Sequence, residues 1–86
     1  MPKDDVGDFF NKNMKQIYLY GYYINYEDDA RDGIYYLQYQ IDPEEARVFF
    51  EQARLKGSCP FEDQYNRDFL LTYNYNDGSY TLTRKN

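Results

Sequence analysis

The alternation of apolar and polar side chains predicts a β-hairpin in the first half of the chain. Residues 17–26 are rich in aromatic and β-branched side chains, a composition typical of a strand. Residues 34–41 have an all-apolar side, made of Tyr35, Leu37, Tyr39 and Ile41, and a mixed side. The apolar side is expected to face the core. Residues 27–33 form the predicted loop, and its last residue, Gly33, can adopt the positive φ that closes a hairpin.

A second hairpin is predicted near the end of the sequence. Residues 69–75 and 80–84 are the strands, and Asp77-Gly78 is a strong signal for a two-residue turn between them. This turn places Tyr75 opposite Tyr80. The predicted core face of the hairpin consists of Phe69, Leu71, Tyr73, Tyr75, Tyr80 and Leu82.

Helical spacing is clearest over residues 42–56. Asp42 is a suitable N-cap, Pro43 suits the first helical position, and Glu45 has the spacing of a capping box. Gly57 is the expected stop. The stripe predicted to pack on the sheet is Ala46, Phe49, Phe50 and Ala53. A first helix is also predicted over residues 4–15, and residues 58–68 are expected to connect the main helix to the next strand through a short helical turn.

These elements predict one domain, residues 1–86, of the α+β class. The order α-β-β-α-β-β gives an antiparallel four-stranded sheet of two hairpins with the main helix packed on one face. A chain of 86 residues buries one modest core. The pattern leaves open the order of the strands and the register of the first hairpin.

Composition changes the picture because 12 of the 86 residues are tyrosine. A tyrosine has an apolar ring and a polar hydroxyl, so it suits a binding surface as well as a core. Helices that cover one side of the sheet leave the other side open, and the first hairpin is expected to show a tyrosine face there. The predicted partner-binding residues are the tyrosines of this face and the acids of the adjoining loop: Tyr18, Tyr20, Tyr22, Tyr26, Tyr36, Glu27, Asp28, Asp29 and Asp32.

The chain holds 15 acidic and 10 basic residues, a net charge of −5. Stacked aromatic residues on a sheet are used by several RNA-binding modules, but such faces also need Arg and Lys. Residues 17–26 and 34–41 contain neither. Direct binding of nucleic acid is therefore not expected, and an acidic surface instead favours a basic protein partner.

The sequence contains no recognised motif for catalysis or for metal binding. The sequence has no histidine, no glycine-rich phosphate loop and no Cys/His metal spacing. An EF-hand loop starting at Asp28 fails because Ala30 and Tyr39 occupy ligand positions. No enzyme activity, catalytic residue, metal or cofactor is predicted.

The predicted function is a non-catalytic protein-binding module. It would be an acidic inhibitor or nucleic-acid mimic, of the phage or mobile-element type, docking on a basic nucleic-acid-handling protein. The alternative is a self-associating structural domain whose tyrosine face is a homodimer interface. A third interpretation registers the first strand the other way, with its tyrosines inside.

The cytoplasm is the predicted location. The single cysteine, Cys59, allows no intramolecular disulfide, which fits a reducing compartment. No apolar run approaches the about 20 residues of a membrane span, and the first residues lack the pattern of a secretory signal. No membrane association is therefore expected.

Overall fold

The computed structural model describes residues 14–85, an α+β fold with a mixed five-stranded sheet and two helices. The strands are β1 (Met14–Leu19), β2 (Tyr22–Glu27), β3 (Ser58–Glu62), β4 (Asp68–Asn74) and β5 (Ser79–Arg84). The helices are α1 (Arg31–Tyr35) and α2 (Pro43–Lys56). The helix predicted over residues 4–15 lies outside the described residues except for Met14 and Lys15, which begin β1.

The sheet has the strand order β1-β2-β5-β4-β3, so the prediction of four antiparallel strands is wrong in detail. β2 and β5 run parallel to each other, and the other neighbours are antiparallel. The side chains that pack against the helices share one face of the sheet, here called the helix face. The opposite side is called the open face.

The first hairpin forms inside the segment that was predicted as one long strand. Tyr20 and Gly21 have φ values of 55° and 91° and make a two-residue turn, with Leu19 paired to Tyr22. Two consecutive positive φ angles are typical of the primed turns that join tightly twisted strands. Gly21, which lies in the middle of the predicted strand, is therefore the second residue of the turn. Tyrosine rarely adopts a positive φ and is common in strands, so Tyr20 favoured the prediction of a continuous strand.

Residues 34–40 of the segment predicted as the second strand lie instead in a helical region that spans residues 28–40, and Ile41 follows it in an extended conformation. A 3₁₀ turn (Asp28–Ala30) leads into α1, and a π turn (Tyr36–Gln40) follows it. The buried residues Ala30, Ile34 and Leu37 have helical spacing, which the alternation of residues 34–41 obscured. We call residues 28–40 the first helical region.

Gly33 has a different role from the hairpin turn that was predicted. It lies within α1 where the helix approaches the sheet most closely. A Cβ at this position would lie 2.9 Å from Leu82 Cδ2 and 2.9 Å from Phe69 Cδ1. The absence of a side chain therefore allows the first helical region to pack directly on the central strands.

The prediction for α2 is confirmed. Asp42 and Glu45 form the capping box, with the Asp42 N–H donating to Glu45 Oε1 at 3.4 Å, and Pro43 is the first helical residue. Gly57, at φ 96°, ends the helix. Ala46, Phe50 and Ala53 are fully buried, and Phe49 packs against them at the margin of the core.

β3 replaces the predicted connection with its short helical turn. Its residues pair with β4, with Phe61 opposite Phe69. Phe61 is buried, whereas Tyr65 is exposed in the loop that follows. Extended pairing, with alternate side chains inside, therefore anchors this segment better than a helical turn would.

The second hairpin is confirmed, but its predicted register is wrong by two residues. Tyr73 pairs with Tyr80, and a four-residue loop, residues 75–78, joins the strands. Asp77 Oδ1 accepts hydrogen bonds from the Ser79 N–H and the Ser79 hydroxyl, which favours the longer loop. A shift of two residues preserves the parity of the strands. Four of the predicted core residues are accordingly buried, namely Phe69, Leu71, Tyr80 and Leu82, while Tyr75 is exposed.

Candidate binding surface

The five tyrosines predicted to share an open face are separated by the Tyr20–Gly21 turn. Tyr18 precedes the turn and lies on the open face, where 62% of its surface is exposed. Its ring contacts that of Tyr23, the residue paired with it on β2, at 4.6 Å between centroids. The tyrosines on the open face of the first hairpin are therefore Tyr18 and Tyr23, of which only Tyr18 was predicted there.

Tyr20 and Tyr22 turn toward the helices. The Tyr20 hydroxyl donates to the carbonyls of Leu37 and Gln38, at 3.4 and 3.2 Å, and so holds the π turn. The Tyr22 ring stacks on Phe50 with 4.2 Å between centroids, and its hydroxyl donates to Glu51. Burial, followed by the nearby Glu51 carboxylate, raises the pKa of Tyr22. Both residues stabilise the contact between the hairpin and the helices.

Tyr26 and Tyr36 also pack against the core. Both are partly buried, and the Tyr36 ring lies 5.8 Å from Phe61 in a stacked arrangement. The predicted shared face therefore does not form, since four of its five tyrosines contribute to packing on the helix side. Tyr80 shows the same use of tyrosine in the core. Its hydroxyl donates to the Phe50 carbonyl at 3.3 Å, and burial raises its pKa to about 12.

The predicted acids remain on the surface, at the end of β2 and in the first helical region. Hydrogen bonds from Lys15 and Arg31 lower the pKa of Asp28, which forms an ion pair with each of them. Asp32 pairs with Arg67 at 2.9 Å. Glu27 and Asp29 are exposed and have no ion pair with any residue in the range 14–85.

A different set of tyrosines joins these acids on the outer side of the first helical region. Tyr35 and Tyr39 are one helical turn apart, exposed by 54% and 65%, with ring centroids 4.9 Å apart. Tyr65 is exposed by 67% and lines the same shallow cleft as Asp32 and Tyr35. We call this set the acid–tyrosine surface: Asp28, Asp29, Asp32, Tyr35, Tyr39 and Tyr65.

Arg67 holds the two parts of the acid–tyrosine surface together. Its guanidinium bonds to Asp63 at 2.7 Å and to Asp32 at 2.9 Å, and it lies 5.0 Å from the centre of the Tyr65 ring. Asp63 is buried, and its carboxylate also accepts the backbone N–H groups of Tyr65 and Arg67. This bonding fixes the position of Tyr65 relative to α1.

The Asp63 carboxylate is the common acceptor in this arrangement. Burial acts to raise its pKa, but the hydrogen bonds from the backbone and guanidinium of Arg67 and from the Tyr65 backbone outweigh that effect. The pKa of Asp63 is consequently lowered from 3.8. The carboxylate is therefore ionised at neutral pH and able to hold Arg67 in place.

Polar side chains line the open face of the sheet next to the Tyr18–Tyr23 pair, while Pro60 and Leu70 pair on it toward the other edge. Asn74 Nδ2 donates to Ser79 Oγ and to Thr81 Oγ1, each at 3.0 Å. Asn25 Oδ1 accepts a hydrogen bond from Gln16 Nε2 at 3.1 Å. These neighbouring side chains bond to one another across four strands, as expected for a sheet face in contact with water.

Metal ligands and the single thiol were the remaining candidates for chemistry among the described residues. Within residues 14–85 no group of three or more His, Cys, Asp or Glu side chains is arranged to hold a metal ion. Burial raises the pKa of the Cys59 thiol, so the nucleophilic thiolate is disfavoured. No helix in this range is long and apolar enough to cross a membrane.

The sequence analysis named Asp28, Asp29 and Asp32 as partner-binding residues but did not name Tyr35, Tyr39 and Tyr65, which the structure places near them. Tyr35 and Tyr39 were placed in the core because a strand of residues 34–41 would bury them together with Leu37. The spacing of Asp28, Asp32, Tyr35 and Tyr39 contains the missed signal, since these positions follow one stripe of a helix. Nothing near Tyr65 in the sequence indicates its approach to α1.

The chain was compared with protein families, curated proteins and solved structures. The chain matches no family model, no curated protein and no solved structure.

Proposed function

We propose that the protein is a non-catalytic binding module that docks on a basic protein surface through its acid–tyrosine surface. The observation that carries this proposal is the cleft that brings exposed Tyr65 to Asp32 and Tyr35, with Tyr39 in contact with Tyr35 and the exposed Asp28 and Asp29 at the start of the same helical region. Exposed tyrosines supply contact area at a small cost in side-chain entropy. Carboxylates beside them accelerate and orient the approach of a cationic partner.

The partner is proposed to be a nucleic-acid-handling protein whose basic groove the acidic module occupies as an inhibitor or mimic. The support for this choice is the net charge of −5 together with aromatic rings placed among the acids. Arginine side chains that bind phosphates also pair with carboxylates and stack on aromatic rings. The same chemistry would therefore let a basic groove accept this surface in place of nucleic acid.

The test is a binding measurement with two variants and a matched control. Proteins captured by the immobilised chain are identified, purified and titrated by calorimetry at low and high salt. Tyr39→Ala removes an exposed anchor, and loss of such an anchor is expected to weaken binding at least tenfold. Asp29→Lys is expected to weaken binding mainly at low salt, because screening reduces long-range attraction.

The control is Glu44→Lys on α2, which changes the net charge as much as Asp29→Lys does. Glu44 is exposed and lies outside the acid–tyrosine surface. Equal binding by the wild type and both surface variants would contradict the proposal. So would an equal loss in Asp29→Lys and Glu44→Lys, since that would indicate general charge attraction. Competition by duplex DNA for the captured protein tests the proposed mimicry separately.

A further inference from the structure

The two edges of the sheet differ in how well they resist pairing with another strand. β3 forms one edge and contains Pro60, which has no N–H to offer. Gly57 O accepts from Tyr73 N, and Asp63 N donates to Arg67 O, so the odd-numbered residues here bond toward β4. Pro60 therefore lies among the residues whose peptide groups point outward. Proline at such a position is a common protection against edge-to-edge association.

β1 forms the other edge and contains no proline. The two-residue turn after it is closed by Leu19 and Tyr22, and the closing pair of such a turn exchanges hydrogen bonds. The alternate residues Ile17 and Lys15 consequently bond to β2 as well. Gln16 and Tyr18 are left with their N–H and C=O groups directed away from the sheet.

The side chains of β1 also leave this edge unprotected. Ile17 packs at the margin of the core on the helix face and is only partly buried. Gln16 and Tyr18 lie on the open face and are exposed. The charge of Lys15, the one ionic residue of β1, is directed to Asp28 of the same chain at 3.3 Å. Within residues 14–85, this edge is thus extended, has no unpaired charge, and directs peptide groups outward with no strand to bond to.

We propose that two copies of the chain pair through β1 in antiparallel orientation and form one continuous ten-stranded sheet. A two-fold axis beside Ile17 places Gln16 of each copy opposite Tyr18 of the other. In this register the outward peptide groups of both strands match, because residues 16 and 18 have the same parity. Ile17 of each copy then covers Ile17 of the other on the helix face.

The symmetric register is the reason to infer that the occupant is a second copy of this chain, and the composition of β1 limits the repulsion between the two copies. Molecules with a net charge of −5 repel each other, and the repulsion is smallest where no uncompensated acid faces the partner. β1 contains no acidic residue. The proposed axis also makes the contact self-complementary, as a symmetric dimer requires.

The contact is small, which sets the expected behaviour. A strand pair of this length buries less than the about 1,200 Å² typical of stable interfaces. The dimer should therefore form and dissociate in a concentration-dependent manner. This inference does not rest on the proposed function, although Lys15 of β1 contacts Asp28 of the acid–tyrosine surface.

Sedimentation equilibrium of the full chain from micromolar to millimolar concentration provides the first test. We expect the average mass to rise toward twice that of the monomer. Gln16→Pro removes one outward N–H without removing a bond to β2, and it should keep the chain monomeric. Gln16→Thr retains the N–H and should still dimerise. A wild-type chain that stays monomeric at millimolar concentration would overturn the proposal.

A charge-exchange pair tests the register even if the proline variant fails to fold. Gln16→Lys/Tyr18→Lys and Gln16→Glu/Tyr18→Glu each place like charges opposite one another across the proposed axis. Both substitutions are at exposed positions, so each variant alone should fold and be monomeric. Mixing the two should restore a dimer with one chain of each kind. A dimer of either variant alone, or none in the mixture, would contradict this pairing.

Discussion

The two helical regions on the same face of the sheet differ in what determines their structure. α2 has a capping box at its start, proline in its first turn and glycine at its end. The first helical region has no side-chain cap on its 3₁₀ turn or on α1, and it ends in a π turn. Local residues therefore determine where α2 begins and ends. Contacts with the sheet, through Gly33, Ile34 and Leu37, determine the first helical region.

This difference shows that two helical regions can be equally buried although capping residues close in sequence define one and contacts distant in sequence define the other. Ala30 and Leu37 in the first helical region are as fully buried as Phe50 in α2. Isolated short helices are marginal in water, so an uncapped segment of this length depends on tertiary packing. The two regions should accordingly respond differently to loss of a cap, loss of core volume and addition of volume at the contact with the sheet.

The largest effect is expected from Phe50→Ala. Phe50 is fully buried, stacks on Tyr22 and meets the edge of Tyr80 at 5.0 Å. Removal of a buried phenylalanine ring typically lowers the free energy of unfolding by about 3–5 kcal/mol. Chemical denaturation measures this change. Val48→Ala, on the exposed side of α2, is the control and should change stability by less than about 1 kcal/mol.

Gly33→Ala should reveal the dependence of the first helical region on close packing. Helix propensity alone favours alanine by up to about 1 kcal/mol. The added Cβ would lie 2.9 Å from both Leu82 and Phe69, and overpacking of this kind costs about 1–3 kcal/mol. We expect a net loss of about 1–2 kcal/mol in denaturation experiments. A variant more stable than the wild type would show that the helix can move away from the sheet freely.

Loss of a cap should affect α2 alone. Asp42→Ala removes the capping box and should lower the free energy of unfolding by about 1 kcal/mol. Glu27→Ala removes the residue that precedes the 3₁₀ turn, whose side chain makes no capping bond, and should have an effect within about 0.5 kcal/mol. Thermal unfolding of the two variants gives the comparison. Equal losses would contradict the distinction between the regions.

The smallest effect is expected from acid, acting through Asp63. Its pKa in the folded protein is below 3.8, so its carboxylate contributes stability that is complete above the unfolded value. This contribution is lost as the pH falls through the folded pKa. Because Arg67 links Asp63 to Asp32, the protection of backbone amides, measured relative to their intrinsic exchange rate at each pH, should fall in α1 before α2 as the pH is lowered toward 3. Asp63→Asn should remove that difference between the helices.

The elements that the sequence predicted well are those specified by neighbouring residues. Asp42, Pro43 and Gly57 define α2, and the alternation in residues 69–75 identifies the buried side of β4. The prediction of secondary structure failed where tyrosines fit both a strand and a helix. Tyr35 and Tyr39 satisfy both the alternation of a strand and the spacing of a helix, and contacts distant in sequence select the helix.

The acids of the candidate surface were predicted because short charged segments stay in water whichever fold forms. The exposed tyrosines after Tyr18 were not predicted, because the face on which a strand residue lies depends on whether its position is odd or even. The Tyr20–Gly21 turn exchanged the two faces for the residues of β2 relative to one continuous strand. The two positive φ angles at Tyr20 and Gly21 thus moved Tyr22 and Tyr26 to the helix face. Tyr18 preceded this change and kept its predicted orientation.

The parallel pairing of β2 with β5 has a consequence for synthesis of the chain. Asn25 and Tyr80, which are bonded across this pair, are 55 positions apart in the sequence. At about 5–20 residues per second, a ribosome needs roughly 3–11 s to add that many residues. Until then β1 and β2 form a two-stranded unit, which is marginally stable by itself. The strand order therefore sets a minimum time for which the edge of β2 stays without its β5 partner in the nascent chain.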